Sequence, residues 1–300
     1  MTGSGVLGAG VTDPSRVPVV LGTAQLRTNP ERSVKAAREP LTLLLEVARG
    51  AAADAVRRPG QVMSVLAGVD DVSAVRTVSW TYDELARRLA RELGAEPRTC
   101  TDVGIGGQWP VRLVDAAAAR IAAGESTVAL VVGGEAQASV TALGRAGVDP
   151  VAELGWSTDP GGPPRFDPAD LGTERMHASG LVLPARVYPL FENRLQADLG
   201  LTPEQSSAES AELYAAFSDV AAANPYAWKP QRRTAAEIAT PGPGNRMVCE
   251  PYPLAMNAMP HVDQAAAVLL ASLAFARELG VGDDRLVHVW SGAGCDDTAD

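Results

Sequence analysis

The sequence predicts an α/β protein in which a mostly parallel β-sheet is covered by helices on both faces. Its 300 residues suffice to bury a sizeable core, in two domains or in one large α/β domain. Hydrophobic residues make up 46% of the chain and aromatic residues only 5%, which favours helices packed closely on a sheet. Short apolar runs alternate with amphipathic helical patterns along the first half of the chain, as expected for strands joined by crossover helices.

Five segments are predicted to form the strands of this sheet. Each is a short apolar run of the kind that is buried on both faces. They are residues 17–22, 62–68, 97–105, 127–132 and 262–271. In the last segment periodicity alone also allows a helix, because a continuous apolar run does not distinguish the two.

Helices are predicted between these strands from apolar side chains spaced by three and four residues. Residues 40–56 carry such a face. Thr81 and Glu84 have the spacing of a capping box, and they are predicted to begin a helix that ends at Gly94. After residues 147–180, which are rich in proline, glycine and aspartate, a second capping box is predicted to begin a helix at Thr202.

The junction between the third strand and the helix behind it is the predicted functional site. Gly106, Gly107 and Gln108 form a turn, and an alanine-rich helix is predicted from Trp109 to residue 123, before Gly124. The start of a helix exposes unpaired N–H groups and the positive end of the helix dipole. Such a site suits an anion, a thioester oxygen or an activated nucleophile.

Composition argues against several other functions. The net charge of −10 is unfavourable for a nucleic-acid-binding surface. No apolar run has the length of a membrane helix, and the N-terminus has no secretory pattern. The three cysteines and three histidines are too widely spaced for a disulfide framework or a metal site, so we expect a soluble cytoplasmic protein without a bound metal. Gly133 and Gly134 resemble a phosphate-binding turn only weakly, because the spacing of a dinucleotide site is missing.

Several segments resemble the thiolase superfamily. The sequence IAAGEST at 121–127, running into VVGGE at 131–135, is similar to the segment that thiolases place after their nucleophile helix. DQAAAVLLAS at 263–272 resembles the stretch that closes the sheet of the first thiolase domain. NPYAW at 224–228 and PYPLAMNA at 251–258 are most similar to actinobacterial thiolase-like proteins that are described as acetyl-CoA acetyltransferases.

The resemblance implies the N-terminal half of a thiolase: a mixed, mostly parallel five-stranded sheet with helices on both faces and an inserted helical loop domain. The resemblance also implies that residues 262–271, for which periodicity allows a helix or a strand, form a strand. The implied plan is a flexible N-terminus (1–16), a first core segment (17–146), an insertion (147–245), a return to the sheet (246–272) and the start of a truncated second half (273–300). The implied activity is acyl transfer in lipid metabolism, with a coenzyme A thioester as substrate or ligand and no tightly bound cofactor.

The chain departs from thiolases at the catalytic positions. Thiolases carry a cysteine in a C-x-S-G pattern at the start of the third helix, where this chain has Gly107. Cys100, seven residues earlier, is interpreted as a buried structural thiol. No catalytic residue is therefore assigned. The resemblance and the turn together suggest the following substrate-binding residues: Gly106, Gly107, Gln108, Trp109, Gly133, Gly134 and Asn257.

The motifs of the second thiolase half, G-H-P and C-x-G-G-G, do not occur in the sequence. Three functions therefore stay open. The chain could be an acyl-CoA protein without a cysteine nucleophile. It could be a non-catalytic subunit that forms a homodimer or needs a partner chain supplying the second half. It could also be an enzyme for carbon–carbon cleavage that uses another residue, such as a tyrosine or histidine of the inserted segment, with His177 and His261 as the histidines to test.

Overall fold

The computed structural model describes residues 13–29, 34–164 and 172–295, which fall into two compact units. The described part of the first unit comprises residues 13–164, apart from 30–33, and residues 261–295. The second unit comprises residues 172–260. Most of the predicted flexible N-terminus, residues 1–12, lies outside the described residues. The predicted division of the chain into domains stays a prediction.

The strands and helices of the chain have the following bounds. The strands are β1 (Pro18–Thr28), β2 (Asp71–Val75), β3 (Thr99–Val103), β4 (Val128–Ala136), β5 (Met247–Cys249), β6 (Tyr252–Pro253), β7 (Asp263–Ser272) and β8 (Val287–His288). The helices are α1 (Pro40–Ala55), α2 (Val62–Ala67), α3 (Leu85–Leu93), α4 (Trp109–Ala123), α5 (Gln137–Ala146), α6 (Pro150–Leu154), α7 (Glu174–Ala178), α8 (Pro184–Leu199), α9 (Pro203–Ala223), α10 (Ala235–Ala239) and α11 (Leu273–Glu278).

The first unit is built on a mixed sheet with the strand order β3-β2-β4-β7-β1-β8. β2 pairs in parallel with β3 and β4, whereas β7 runs antiparallel to β4 and β1. The α/β fold with a mixed sheet is thus confirmed. The sheet has six strands rather than five, because the short β8 adds to the edge of β1 through the pairs Val19–His288 and Val20–Val287.

Helices cover both faces of this sheet. On β4, Val128, Leu130 and Val132 belong to the core shared with α1 and α3, whereas Ala129 and Val131 face the core shared with α4. All five side chains are buried. This alternation explains why β4 reads as a continuous apolar run, since both of its faces lie against helices. The strand β7, whose sequence also allowed a helix, lies beside β4, and its last four residues, Leu269 to Ser272, are all buried.

The predicted second strand, 62–68, is wrong. Residues 62–67 form the short helix α2, which turns Val65 and Leu66 inward and leaves Met63 exposed. The strand follows at β2, where Val72 and Ala74 enter one core while Asp71 and Ser73 are buried on the alternate positions. A short apolar run does not distinguish helix from strand, and the polar residues of β2 concealed the true strand.

The predicted capping box at Thr81 and Glu84 is also wrong. The Thr81 hydroxyl donates to the carbonyl oxygens of Gly161 and Gly162, at 2.8 and 3.0 Å, and therefore caps no helix. Glu84 has φ 48°, in the left-handed region, and its side chain does not cap α3; the Ala86 N–H donates instead to Asp102 Oδ1, at 2.8 Å. The rest of that prediction is confirmed, because α3 buries its leucines and ends at Gly94.

The second unit consists of helices α7 to α10 and the hairpin β5–β6. The predicted capping box of α9 is confirmed: the Gln205 N–H donates to the Thr202 hydroxyl at 3.3 Å, and the Thr202 N–H donates to the Gln205 carboxamide at 2.8 Å. The core of this unit is small and is formed by Ala211, Ile238 and Met256. In the described residues we find no helix that is long and apolar enough to cross a membrane.

Candidate functional site

The predicted junction of strand and helix is present between β3 and α4. α4 runs from Trp109 to Ala123 and ends at Gly124, which has φ 77°. The Trp109 N–H donates to the Gly106 carbonyl at 3.3 Å, which closes the turn. The backbone N–H groups of Gly106, Gly107 and Gln108 donate to no acceptor within the described part of the chain. We call these three residues the cradle.

The cradle is open to solvent at its tip. Gly107 is exposed, and a Cβ atom added to it would meet no atom within 4 Å. The carboxamide of Gln108 lies against Gly106, at the place where a side chain at position 106 would project. Unpaired N–H groups beside an open space can therefore bind an acceptor from outside the chain, with the positive end of the α4 dipole behind them.

The first turn of α4 adds a cation to this region. The Arg112 guanidinium lies 5.6 Å from the centre of the Trp109 ring, in a cation–π contact. The indole nitrogen of Trp109 lies 3.7 Å from where a Cβ of Gly104 would stand. The sequence analysis missed Arg112, although its position three residues after Trp109 on a predicted helix could have revealed the contact. The charge, the helix dipole and the free N–H groups all favour a negatively charged or electron-rich ligand.

The cysteines are not arranged as in a thiolase. Cys100 is half-buried against the core of the first unit, and desolvation raises the pKa of its thiol, which makes it a weak nucleophile. Cys249 lies in β5 of the second unit. Cys295 is exposed and follows Gly294, where an added Cβ would lie 3.3 Å from Nε of Arg112. Cys100 is half-buried rather than buried, and its interpretation as a structural thiol stays a prediction.

Two other predicted site residues lie inside β4. Gly133 and Gly134 pair with Ala266 and Ala265 of β7, so they form no phosphate-binding turn. A Cβ atom on Gly134 would lie 2.8 Å from the Ala265 side chain. β4 and β7 therefore approach too closely at this position for any residue but glycine. Their role in substrate binding stays a prediction.

Asn257 belongs to the second unit. Its side-chain amide donates to the Pro253 carbonyl at 2.9 Å, and its backbone N–H donates to the Leu254 carbonyl at 3.1 Å. Both bonds stabilise the short turn after β6. Substrate binding by Asn257 therefore stays a prediction.

Glu135 has a structural role at the end of β4. Its carboxylate accepts hydrogen bonds from the Val78 N–H at 2.6 Å, the Ser79 N–H at 2.9 Å and the Ser79 hydroxyl at 2.6 Å. The Ser79 hydroxyl in turn accepts a bond from the Ala136 N–H at 2.9 Å. These bonds fix the loop after β2 against the end of β4.

The carboxyl group of Glu135 should make the stability of the fold pH-dependent. Burial raises the pKa of Glu135, because it disfavours the charged form more than the hydrogen bonds from Ser79 and Val78 favour it. A pKa raised by folding gives stability that is present below the unfolded pKa, about 4.3, and is lost as the pH rises through the folded pKa. We expect the free energy of unfolding of the wild type, relative to Glu135→Gln, to fall across that window in urea titrations. A difference that increases with pH would contradict this assignment.

Asp71 and Arg120 join α4 to the sheet. Asp71 Oδ2 accepts a hydrogen bond from Arg120 Nε at 2.6 Å, and the Asp71 side chain is only 1% exposed. Burial raises the pKa of Asp71, although Arg120 opposes the shift. Asp71 Oδ1, Ser73 Oγ and Arg120 Nη2 are buried without a hydrogen-bond partner in the described residues. In the described residues, no group of three or more histidine, cysteine or acidic side chains is placed to hold a metal ion.

Comparison with solved structures identifies similar folds. The crystal structure of a monomeric SCP2-thiolase like protein type 1 from Mycobacterium smegmatis is 31% identical, with a TM-score of 0.69, over 92% of this chain and 50% of that protein. The Ltp2-ChsH2(DUF35) aldolase is 20% identical, with a TM-score of 0.61, over 89% of this chain and 58% of the other. Human mitochondrial 3-ketoacyl-CoA thiolase in complex with CoA is 13% identical, with a TM-score of 0.54, over 88% of this chain and 67% of the other.

The last two similarities show the fold alone. The chain spans half the length of the Mycobacterium smegmatis protein. No protein-family model and no curated protein matches the sequence.

Proposed function

Since the chain belongs to the thiolase superfamily, we propose that it binds coenzyme A thioesters at the cradle and forms no acyl-enzyme through a cysteine there. The observation that carries this proposal is the group of three unpaired N–H donors beside the exposed Gly107, at the start of α4. A human thiolase of the same fold was solved in complex with CoA, which supports a CoA thioester as the ligand. The proposed ligand binds without a metal or another tightly held cofactor.

The chemistry of the cradle follows from its donors. N–H groups of Gly106, Gly107 and Gln108 would donate to the thioester oxygen and polarise the carbonyl group. Each such donor contributes about 2.7–4 kcal/mol when it stabilises a developing oxyanion. Arg112 adds positive charge in the first turn of α4. Gly107 supplies no nucleophile, so an acyl transfer at this site would require an attacking group from a second molecule.

The substitution Gly107→Asp tests this proposal. It would place a carboxylate against the free N–H groups, and the open space around Gly107 accommodates it. We expect the dissociation constant for acetyl-CoA to rise at least about tenfold in calorimetry, since losing two donors costs about 1.4 kcal/mol or more. The melting temperature should stay unchanged or increase slightly, because an anion favours a helix N-terminus.

Gly144→Asp is the matched control for this experiment. Gly144 lies in the last turn of α5, and a Cβ atom there would also meet no atom within 4 Å. We expect its affinity for acetyl-CoA to equal that of the wild type. Absence of binding of acetyl-CoA and of longer acyl-CoAs by the wild type would refute the proposal.

The second candidate function is that of a non-catalytic subunit in an assembly, as a homodimer or with a partner chain that supplies the second thiolase half. The observation that favours it is the open edge of β3, which pairs with β2 on one side only within the described residues. For both candidate functions we also propose a cytoplasmic location and a role in lipid metabolism.

A further inference from the structure

Three buried polar atoms at the interface between β2 and α4 have no hydrogen-bond partner in the described part of the chain. They are Asp71 Oδ1, Ser73 Oγ and Arg120 Nη2, and we call the three residues the buried polar cluster. Asp71 and Ser73 are each only 1% exposed. Arg120 of α4 joins them through the 2.6 Å hydrogen bond from its Nε to Asp71 Oδ2.

The three atoms lie within reach of one small molecule. Asp71 and Ser73 are two residues apart on β2, so their side chains leave the same face of the strand roughly 6.6 Å from each other. Nη2 lies on the same edge of the Arg120 guanidinium as Nε, and it is therefore held beside the Asp71 carboxylate. Two atoms that bind the same water molecule are roughly 4.5–5.5 Å apart, which is compatible with these positions.

The neighbouring strands supply no partner for the buried polar cluster. Its pairing partners on β4 are Ala129 and Val131, which are apolar and belong to the core under α4. Its pairing partners on β3 are Thr99 and Thr101, which are half-buried. Neither threonine hydroxyl bonds to the three atoms. The partner therefore has to come from solvent, and the half-buried threonines mark the side from which it enters.

The charges of the buried polar cluster select the kind of partner. A buried donor or acceptor that loses water without gaining a new partner costs free energy, and in native proteins such groups are nearly always paired. The carboxylate of Asp71 disfavours an anion, and the guanidinium of Arg120 disfavours a cation. Nη2 is a donor and Oδ1 an acceptor, so the partner has to accept and donate at once. A small neutral molecule with both abilities is water.

We infer that one water molecule is bound in the buried polar cluster and links β2 to α4. It accepts a hydrogen bond from Arg120 Nη2 and donates to Asp71 Oδ1 and to Ser73 Oγ. Three hydrogen bonds are about what a buried water molecule makes in a folded protein. The inference concerns the side of α4 that faces the sheet, and it is independent of ligand binding at the cradle.

A high-resolution crystal structure of the full chain tests this inference directly. We expect one water peak at about 2.7–3.2 Å from Asp71 Oδ1, Ser73 Oγ and Arg120 Nη2. Crystals soaked in sodium bromide should show no anomalous signal there, because the carboxylate excludes an anion. The inference is overturned by a bromide at this place, or by side chains that bond directly to one another with no water between them.

Oxygen-17 magnetic relaxation dispersion, which counts long-lived bound water molecules, tests it in solution. The double variant Asp71→Leu/Arg120→Met removes two of the three partners, and we expect it to hold one long-lived water fewer than the wild type. Ser272→Ala is the matched control, because the Ser272 hydroxyl is as buried but already accepts from the Phe275 N–H at 3.2 Å. Its count should equal that of the wild type. An equal count in the double variant and the wild type overturns the inference.

Discussion

Replacing Gly107 with cysteine should give the chain a reactive thiol at the start of α4. The backbone of Gly107 is outside the left-handed region, and a Cβ atom there would meet no atom within 4 Å, so the side chain fits without strain. A thiol at a helix N-terminus has a lowered pKa, because the dipole and the free N–H groups stabilise the thiolate. We expect alkylation by iodoacetamide at pH 7 to be about tenfold faster than for an ordinary cysteine.

The same variant should accept an acetyl group from acetyl-CoA. The thiolate that Gly107→Cys introduces would attack the carbonyl carbon of the thioester. The carbonyl oxygen would accept hydrogen bonds from the N–H groups of the cradle. The bond between the carbonyl carbon and the sulfur of CoA breaks, and the CoA thiolate leaves and takes up a proton from solvent. Mass spectrometry should find one acetyl group on the peptide that carries position 107, together with an equal amount of free CoA.

Gly144→Cys provides the matched control for both measurements. Gly144 lies near the C-terminal end of α5, where the helix dipole disfavours a thiolate, and its Cβ position is equally open. Both variants retain Cys100, Cys249 and Cys295, so any difference between them comes from the new position. Equal alkylation rates for the two variants would show that the start of α4 does not activate a thiol.

The sequence identified the junction that forms the cradle because the signals there are local. Pro110 in the first turn and Gly124 after the last one define both ends of α4, and the structure has the helix between them. A strand followed by a glycine turn and a helix leaves free N–H groups whatever the rest of the fold does. Two side-chain contacts lie at or near the cradle: Gln108 against Gly106, and Arg112 on the Trp109 ring. They depend on side-chain conformations, which no local sequence pattern predicts.

The errors in the predicted fold arose where tertiary contacts determine local structure. β2 alternates polar and apolar residues, which is the pattern of a strand with one solvent-facing side. Its polar residues Asp71 and Ser73 are buried instead, and Asp71 forms an ion pair with Arg120 of α4. The segment around Thr81 is fixed by hydrogen bonds to Gly161 and Gly162, eighty residues away in sequence, which replace the expected capping box. For β7 the residues alone were ambiguous, and only the resemblance to thiolases favoured the strand that the structure contains.

Removing the charge of Arg120 should destabilise the chain more than any surface substitution. Asp71 is 1% exposed and its partner in the ion pair is Arg120, so the variant Arg120→Met leaves a buried carboxylate without its cation. Breaking a buried ion pair on one side costs about 3–5 kcal/mol, out of a total stability of about 5–15 kcal/mol. Urea denaturation should show this loss as a lower midpoint with an unchanged slope.

The double variant Asp71→Leu/Arg120→Met distinguishes this explanation from lost packing. It removes both charges, and well-packed apolar replacements of buried ion pairs are often neutral or stabilising, so we expect it to recover most of the stability that Arg120→Met loses. The loss in Arg120→Met should also diminish at low pH. Without Arg120 the pKa of Asp71 rises further, because Arg120 is the group that lowers it, and protonation then relieves the unpaired charge. A double variant as unstable as Arg120→Met would instead assign the effect to lost packing between α4 and the sheet.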